Sequence, residues 1–474
     1  MRPLAVGIGL FALVGAVRSG WFAEGDTFWQ IQTGTEIRHQ RTVFLTDTFS
    51  WSVAGRAWHP NSWLFDVLLS LAWTGAGPVG LALFTLGCIT LVGASVAVTA
   101  RSLGARVHVT TALLVVPLLL WLSARPQTLT YALLPLVLLL AGRLLDRTGW
   151  ERLAGLAGLY LLLTLWVNLH LAALAAIPAV AAGLTLALIA ARRRSNPASM
   201  PTAAAIVVVV VLGCLTSPFG VDVLASALAT RDASTALIPE WAPLWRTSWM
   251  AVFTWTGAAV AVGLALAAWR RRPSDPLLAV VAGASAMLLV AGVEAARFSP
   301  MALVVAMPAA AAWATGVDWN GGSGRRRVAF LARGTSIGLV VALVALTVVR
   351  LPEYGRPAPD SYPADTTVDA VPAGCRLLNE YDDGGYVILR RTADGVRVAM
   401  DGRNDVYGAA LVADLLELAQ GRPGALAELD RDGVRCLLLD PRRPLVTQAR
   451  AAGWQEAAAD DNRVLLLSPT SQSG

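Results

Sequence analysis

Lysine is missing altogether from the 474 residues, so all 38 basic side chains are arginine. Without it no glycine-rich phosphate loop can end in its usual lysine, and the glycines of the C-terminal tail carry no nucleotide signature. Charge of either sign is sparse: 15% of residues are charged against 55% hydrophobic, with a mean hydropathy of +0.57. That balance excludes an ordinary soluble protein of this length. Four cysteines are too few for a disulfide scaffold, and no paired CxxC or HExxH occurs. Cys88 and Cys214 lie inside hydrophobic runs, where a cysteine acts as a small apolar residue. The four histidines are too scattered to argue a metal site, and the Gly-x-Ser patterns lack the context of a nucleophile elbow. The +6 net charge comes from arginines clustered between hydrophobic runs, where they set orientation, so it does not point to nucleic acid as a partner.

Long apolar runs fill the first three quarters of the chain and stop after Leu351. They predict about eleven membrane spans, near residues 3–20, 78–100, 108–124, 127–146, 153–168, 171–191, 203–218, 248–269, 276–293, 298–316 and 328–349. Arginine clusters sit at every second connection: Arg101/Arg106, Arg143/Arg147/Arg152, Arg192/Arg193/Arg194, Arg270/Arg271/Arg272 and Arg325/Arg326/Arg327. By the positive-inside rule these loops are cytoplasmic. The N-terminus is then cytoplasmic, and both the loop at 21–62 and everything after Arg350 are extracytoplasmic. The first run has no small-residue cleavage site before Trp21 and reads as a retained helix.

The division expected is a transmembrane domain at 1–350, a linker at 351–369 rich in proline, aspartate and tyrosine, and a soluble α/β domain at 370–474. In the long first outside loop, Ser62, Asp66 and Ser70 repeat at helical spacing beside apolar Trp63, Leu64, Val67, Leu68 and Leu71. This predicts an interfacial helix, with a shorter one from Thr27 to Arg38. The tail predicts strands at 376–381, 386–391, 396–400, 434–439 and 463–467, and helices at 409–419 and 445–451. Cys375 and Cys436 both fall in this tail; export would allow a disulfide between them, and each also reads as a buried residue of a strand-like run.

Polar residues that interrupt the apolar sequence gather on one side under this topology. Arg125 and Gln127 flank Pro126, Asn168 and His170 sit between two spans, and Glu294 and Arg297 between two others. Asp222, Glu240 and Trp241 occupy another outside loop. With Asp26 and Asp47 of the first loop they predict a polar cavity open to the outer face, against the plainer alternative that tight turns carry polar caps. An Arg297–Glu294 pair three residues apart is one such alternative.

Several segments carry a resemblance. They are Gly25-Asp26-Thr27-Phe28-Trp29-Gln30, Leu45-Thr46-Asp47-Thr48-Phe49-Ser50-Trp51, Trp58-His59-Pro60-Asn61-Ser62-Trp63, Arg125-Pro126-Gln127, Trp166-Val167-Asn168-Leu169-His170, Ser217-Pro218-Phe219-Gly220, Asp382-Asp383-Gly384-Gly385-Tyr386 and Asp401-Gly402-Arg403-Asn404-Asp405. Together they resemble a family of bacterial multispan proteins that is similar to the C-type glycosyltransferases, the GT-C fold. The chain departs from that family at Ser62, where an acidic residue often precedes the tryptophan, and at Gln30, where histidine is common.

The resemblance implies a GT-C-like plasma-membrane protein that transfers a sugar from a polyprenyl-phosphate donor to an envelope glycan, lipid or protein at the outer face. It makes Asp26 the base or metal-linked residue, with Asp47 beside it as a second catalytic candidate, and leaves the need for a divalent metal open. Each has a local alternative: Asp26 as a helix cap, Asp47 as a turn or N-cap residue. Arg125, Arg297 and His170 are candidates to hold the departing phosphate, with Asn168, Gln127, His59 and Glu240 as further substrate-binding candidates. The dense polar run Asp401, Arg403, Asp405 and Tyr407 reads either as a glycan-contacting loop or as a turn network. Competing functions are a transporter, and a non-catalytic cell-envelope assembly protein with a glycan-binding tail. Transport predicts internal repeats and charges near midspan, and neither is evident.

Overall fold

The computed structural model describes residues 2–105, 109–192, 199–317 and 323–469; Arg106, Arg193 and Arg194 of the orienting clusters lie outside the described residues. Among the described residues eight helices are long and apolar enough to cross a bilayer. Three shorter apolar helices, Ala5–Arg18, Ala112–Trp121 and Met200–Leu215, fall on the other expected spans. The chain is a multi-pass membrane protein. Hydrocarbon offers no partner to backbone N–H and C=O groups, so helices that satisfy them internally are the form these runs must take. The 112–121 segment is short because Pro117 removes a donor and the helix continues as a 3-10 turn over Val116–Trp121. The Thr254 hydroxyl donates to the Pro117 carbonyl at 2.8 Å.

Two compact units divide the chain. The helical unit comprises Met1–Gly20, Ala82–Leu224 and Ile238–Tyr354. At its centre the Phe298–Thr315 helix is buried on all sides from Ser299 to Ala311, which is why its sequence is apolar and small all round. The Ser323–Arg350 helix is the opposite case. Phe330, Ile337, Val341 and Val349 are each more than 60% exposed on it, an apolar surface that water would not tolerate and lipid does.

The loop-and-tail unit comprises Trp21–Leu81, Ala225–Leu237 and Gly355–Gly474. Its first helix runs Asp26–Gln40, slightly longer than the expected 27–38. A two-strand ribbon follows, β1 (Leu45–Thr46) antiparallel to β2 (Ala57–Trp58). The next helix begins at Trp63 and is broken at Ala76 and Gly77, where Gly77 takes φ 54° before Pro78. The segment ahead of that break is helical over the stretch expected to form an interfacial helix, and its polar stripe faces inward. Ser62, Asp66 and Ser70 are buried, whereas Leu68 and Leu71 are 39% and 48% exposed. The sidedness follows from the solvent: against lipid the apolar face turns outward and the polar one seeks protein partners.

The tail is a five-stranded sheet of β3 (Arg376–Asn379), β4 (Arg397–Val398), β5 (Cys436–Leu439), β6 (Gln455–Ala459) and β7 (Val464–Leu467) in the order β4-β3-β5-β7-β6. The first three are parallel, and β7 runs antiparallel to both neighbours. A Cys375–Cys436 disulfide links the β3 and β5 segments. The expected strand at 386–391 is instead a helix, Gly384–Arg391. Its run of four apolar residues, Tyr386 to Leu389, fits either period, and the packing decides. Gly385 lies so close to the Asp26–Gln40 helix that a Cβ there would come within 2.5 Å of the Gly25 carbonyl. Elements without an expectation include strand β6, which has no buried face, and the Asp365–Asp369, Asn404–Tyr407 and Ala425–Arg431 helices.

The first loop adds itself to the tail sheet. Trp51 N donates to Val398 O at 3.0 Å and Val398 N to Phe49 O at 3.1 Å, so residues 49–51 lie parallel along the β4 edge. The Trp51 indole donates to Leu377 O at 3.0 Å. An edge that would otherwise present unpaired backbone groups is thereby closed by a segment nearly 350 residues away in sequence.

Candidate functional site

Asp26 is the first residue of its helix, and its carboxylate accepts from the Trp29 indole at 3.3 Å. Across from it stands Gly402, where a Cβ would lie 2.2 Å from Asp26 Oδ1. Only glycine lets the tail backbone come this near. Trp29 also meets Trp58 edge-on, with ring centroids 6.1 Å apart. The Trp58 indole and the Asn61 amide both donate to Asp405 Oδ2, at 3.1 and 3.3 Å. Two carboxylates thus flank one aromatic pair, Asp26 from the loop and Asp405 from the tail. His59 is further along the ribbon, edge-on to Phe44 at 5.2 Å.

Asp47 has a different setting. It is 2% exposed and takes Arg403 Nη1 on Oδ1 at 2.6 Å and the Ser50 hydroxyl on Oδ2 at 2.6 Å. Arg403, 1% exposed, forks onto Asp401 at 2.8 and 2.7 Å. It also reaches the Tyr407 hydroxyl at 3.0 Å, which itself donates to Asp401 at 2.6 Å. The guanidinium lies over the Phe49 and Trp58 rings at 4.9 and 5.0 Å. The dense polar run in the tail is therefore a closed network that grips the loop. Nearby, burial pushes the Asp383 carboxyl up to about 7, with the Arg463 hydrogen bonds pulling it down.

Asp66 escaped the sequence reading as a site residue, because its spacing with Ser62 and Ser70 read as the wet side of a surface helix. It is fully buried. The Ser62 hydroxyl donates to its Oδ1 at 3.0 Å, and the Gln30 amide reaches Ser62 at 3.4 Å. Asp66 Oδ2 and Gln30 Oε1 are buried with no hydrogen-bond partner among the described residues. Gln30 and Ser62, the two departures from the resembled family, are thus direct neighbours beside this carboxylate.

The helical unit assembles its own cluster. Arg125 precedes the Pro126–Leu144 helix, and its Nη1 is 3.7 Å from Glu240 Oε2. Gln127 donates to Glu240 Oε1 at 3.1 Å. Glu240 in turn is pinned through its backbone, accepting from Arg297 N at 2.9 Å, and the Arg297 guanidinium lies 3.8 Å over the Trp241 ring. Glu294 is exposed and forms no ion pair among the described residues, so the sequence-local Arg297–Glu294 pair does not occur. His170 Nδ1 meets the Thr130 hydroxyl at 2.7 Å, and Trp166 donates to the same oxygen at 3.0 Å. Asn168 is spent on backbone carbonyls, Thr164 at 2.7 Å and Thr216 at 2.9 Å. Arg125, Gln127, Glu240 and Arg297 come together from three distant segments; Asn168 does not join them. Among the described residues no three His, Cys, Asp or Glu side chains converge to hold a metal ion.

No protein-family model and no curated protein matches this sequence. Solved structures do match. ArnT from Cupriavidus metallidurans bound to undecaprenyl phosphate aligns with a TM-score of 0.57 at 12% identity, covering 100% of this chain and 98% of that one. The same protein in the apo state aligns with a TM-score of 0.55 at 12% identity, covering 99% and 98%. At this identity the likeness establishes the fold, that of the GT-C glycosyltransferases, over the whole length.

Proposed function

We propose that this GT-C protein is a glycosyltransferase of the bacterial plasma membrane, which moves a sugar from a polyprenyl-phosphate donor to an envelope acceptor at the outer face. The observation that carries the reading is the Asp26 carboxylate, held at a helix start beside the Trp29–Trp58 pair and against a glycine that leaves no side chain in its way. The bound undecaprenyl phosphate of the matching ArnT structure supports the donor class. The Cys375–Cys436 disulfide supports an extracytoplasmic tail, since such bridges persist in oxidising compartments.

In this mechanism Asp26 takes the proton of the acceptor hydroxyl as its oxygen attacks the anomeric carbon. The bond from that carbon to the phosphate oxygen breaks, and the polyprenyl phosphate leaves with the electron pair. Arg125 and Arg297 stabilise the phosphate as charge develops on it, and arginine suits the task because its planar fork bonds two oxygens. Glu240 lies beside the first guanidinium, and the Trp241 ring lies beneath the second. Asp47 holds the loop to the tail through Arg403 and performs no proton transfer.

The test uses purified full-length protein in nanodiscs, with polyprenyl-phosphate binding and sugar transfer read separately. Asp26→Asn abolishes transfer and leaves polyprenyl-phosphate binding and the melting temperature unchanged. Arg125→Ala weakens polyprenyl-phosphate binding about tenfold or more, and Arg125→Lys restores it incompletely because charge returns without the fork. Transfer retained in Asp26→Asn removes the base from the mechanism, and unchanged binding in Arg125→Ala removes the clamp.

A further inference from the structure

The loop-and-tail unit holds a cavity of about 850 Å³ whose wall includes none of the residues assigned above. Three stretches build it: Trp73 and Pro78 at the break of the loop helix, the proline-rich segment 355–365, and the tail around Arg390 and Asn462. Its frame is fixed by satisfied polar groups. Asn462 donates to the Pro359 and Tyr362 carbonyls at 2.6 and 3.1 Å, and Asp460 accepts from Ala364 N at 2.7 Å. Arg390 is held by Asp369 at 2.7 Å and Asp365 at 3.2 Å. The segment that sequence composition marks as a tether is here a wall.

Against this frame three side chains on the wall are unspent. The Trp73 indole is half-buried, and Arg356 and Asp461 are exposed; none makes a side-chain hydrogen bond or ion pair among the described residues. An indole face, a carboxylate and a guanidinium form a donor-acceptor set that fits a saccharide. The aromatic ring covers the apolar C–H face of a pyranose, the carboxylate accepts from vicinal hydroxyls and the guanidinium donates to ring or hydroxyl oxygens. The wall has three carboxylates, Asp365, Asp460 and Asp461, to two arginines, Arg356 and Arg390, which disfavours an anionic occupant. The volume lies within the roughly 300–1,000 Å³ of small-ligand sites and admits about two or three sugar rings.

We propose that this cavity is an acceptor subsite that takes a neutral oligosaccharide, stacked on Trp73 and hydrogen-bonded by Asp461 and Arg356. The inference rests on the glycosyltransferase reading and names its acceptor class.

The experiment is binding of the full chain in nanodiscs to an array of neutral and anionic oligosaccharides, with no donor present. Trp73→Ala, Asp461→Asn and Arg356→Gln are compared with the unaltered protein, and melting temperature serves as the folding control. Neutral oligosaccharide binding that falls about tenfold or more in Trp73→Ala and Asp461→Asn, at unchanged melting temperature, is the expected result. Absence of glycan binding, or binding that these variants leave unchanged, overturns the proposal. So does binding confined to anionic glycans or to anionic phospholipid vesicles and lost in Arg356→Gln, which assigns the cavity to a phosphate-bearing ligand. Polyprenyl-phosphate binding by the same three variants stays at the unaltered level; its loss in the unaltered protein would sink the donor reading and leave the glycan result standing.

Discussion

A guanidinium without exposed surface is stable only if its partners are present, and Arg403 has two carboxylates, a phenol and two ring faces. Removing one member of a buried ion pair costs about 3–5 kcal/mol because the remaining charges stay behind uncompensated. Arg403→Met leaves Asp47 and Asp401 in that position, and the expected outcome is a large fall in the melting temperature, read by fluorescence-detected size exclusion. Asp47→Asn is milder, since Arg403 keeps its fork on Asp401. Asp26→Asn, by contrast, leaves melting unchanged. An unchanged melting temperature in Arg403→Met would show that the network does not hold the loop. The family resemblance put Asp26 forward as a catalytic candidate with Asp47 second, and their surroundings differ: one faces a glycine and an indole, the other is held by an arginine.

At the scale of elements, the contact that most constrains the site is the crossing of the Asp26–Gln40 helix over the segment that starts at Trp63. A Cβ on Gly34 would lie 2.0 Å from the Asp66 carbonyl oxygen, so the two backbones touch. Gly34→Ala is expected to force the helices apart and destabilise by about 1–3 kcal/mol, as overpacking does. Because the crossing sets where Gln30, Ser62 and Asp66 meet, the displacement should also lower transfer. A variant with the melting temperature and transfer of the unaltered protein would show that the crossing is not tight. This contact was invisible in the sequence, where Gly34 is one of 42 glycines. The inward turn of the Ser62–Asp66–Ser70 stripe was hidden for a related reason: periodicity locates a face and says nothing of whether water or lipid lies beyond the other.

For the whole molecule the decisive question is compartment. The arginine alternation predicts that the Asp26 loop and the tail share the outer side, and the Cys375–Cys436 bridge agrees. Single cysteines at exposed Arg56 and Arg442, in a background with Cys375 and Cys436 changed to serine, are expected to react with a membrane-impermeant maleimide in intact cells. In the unaltered protein both native tail cysteines should resist alkylation until reduced. Labelling at only one of the two sites would break the topology. Loss of the bridge should cost about 2–4 kcal/mol of tail stability, read as a lower melting temperature after reduction.

By itself the sequence located the apolar runs and most tail elements, and its arginine pattern predicts an orientation. These follow from composition and local period, since the transfer of apolar residues into lipid and the charge of arginine act residue by residue. It also placed Arg125, Gln127, Glu240 and Arg297 among the residues to watch, because polar groups are costly beside apolar runs, and Asp26 through the family resemblance. Tertiary structure decided the rest. It paired Arg125 with Glu240, more than a hundred residues away, closed the β4 edge with residues 49–51, locked Asp47 onto Arg403 and made a wall of the 355–365 segment. Such pairings depend on which surfaces meet after folding, and local patterns in a single chain carry no record of that meeting.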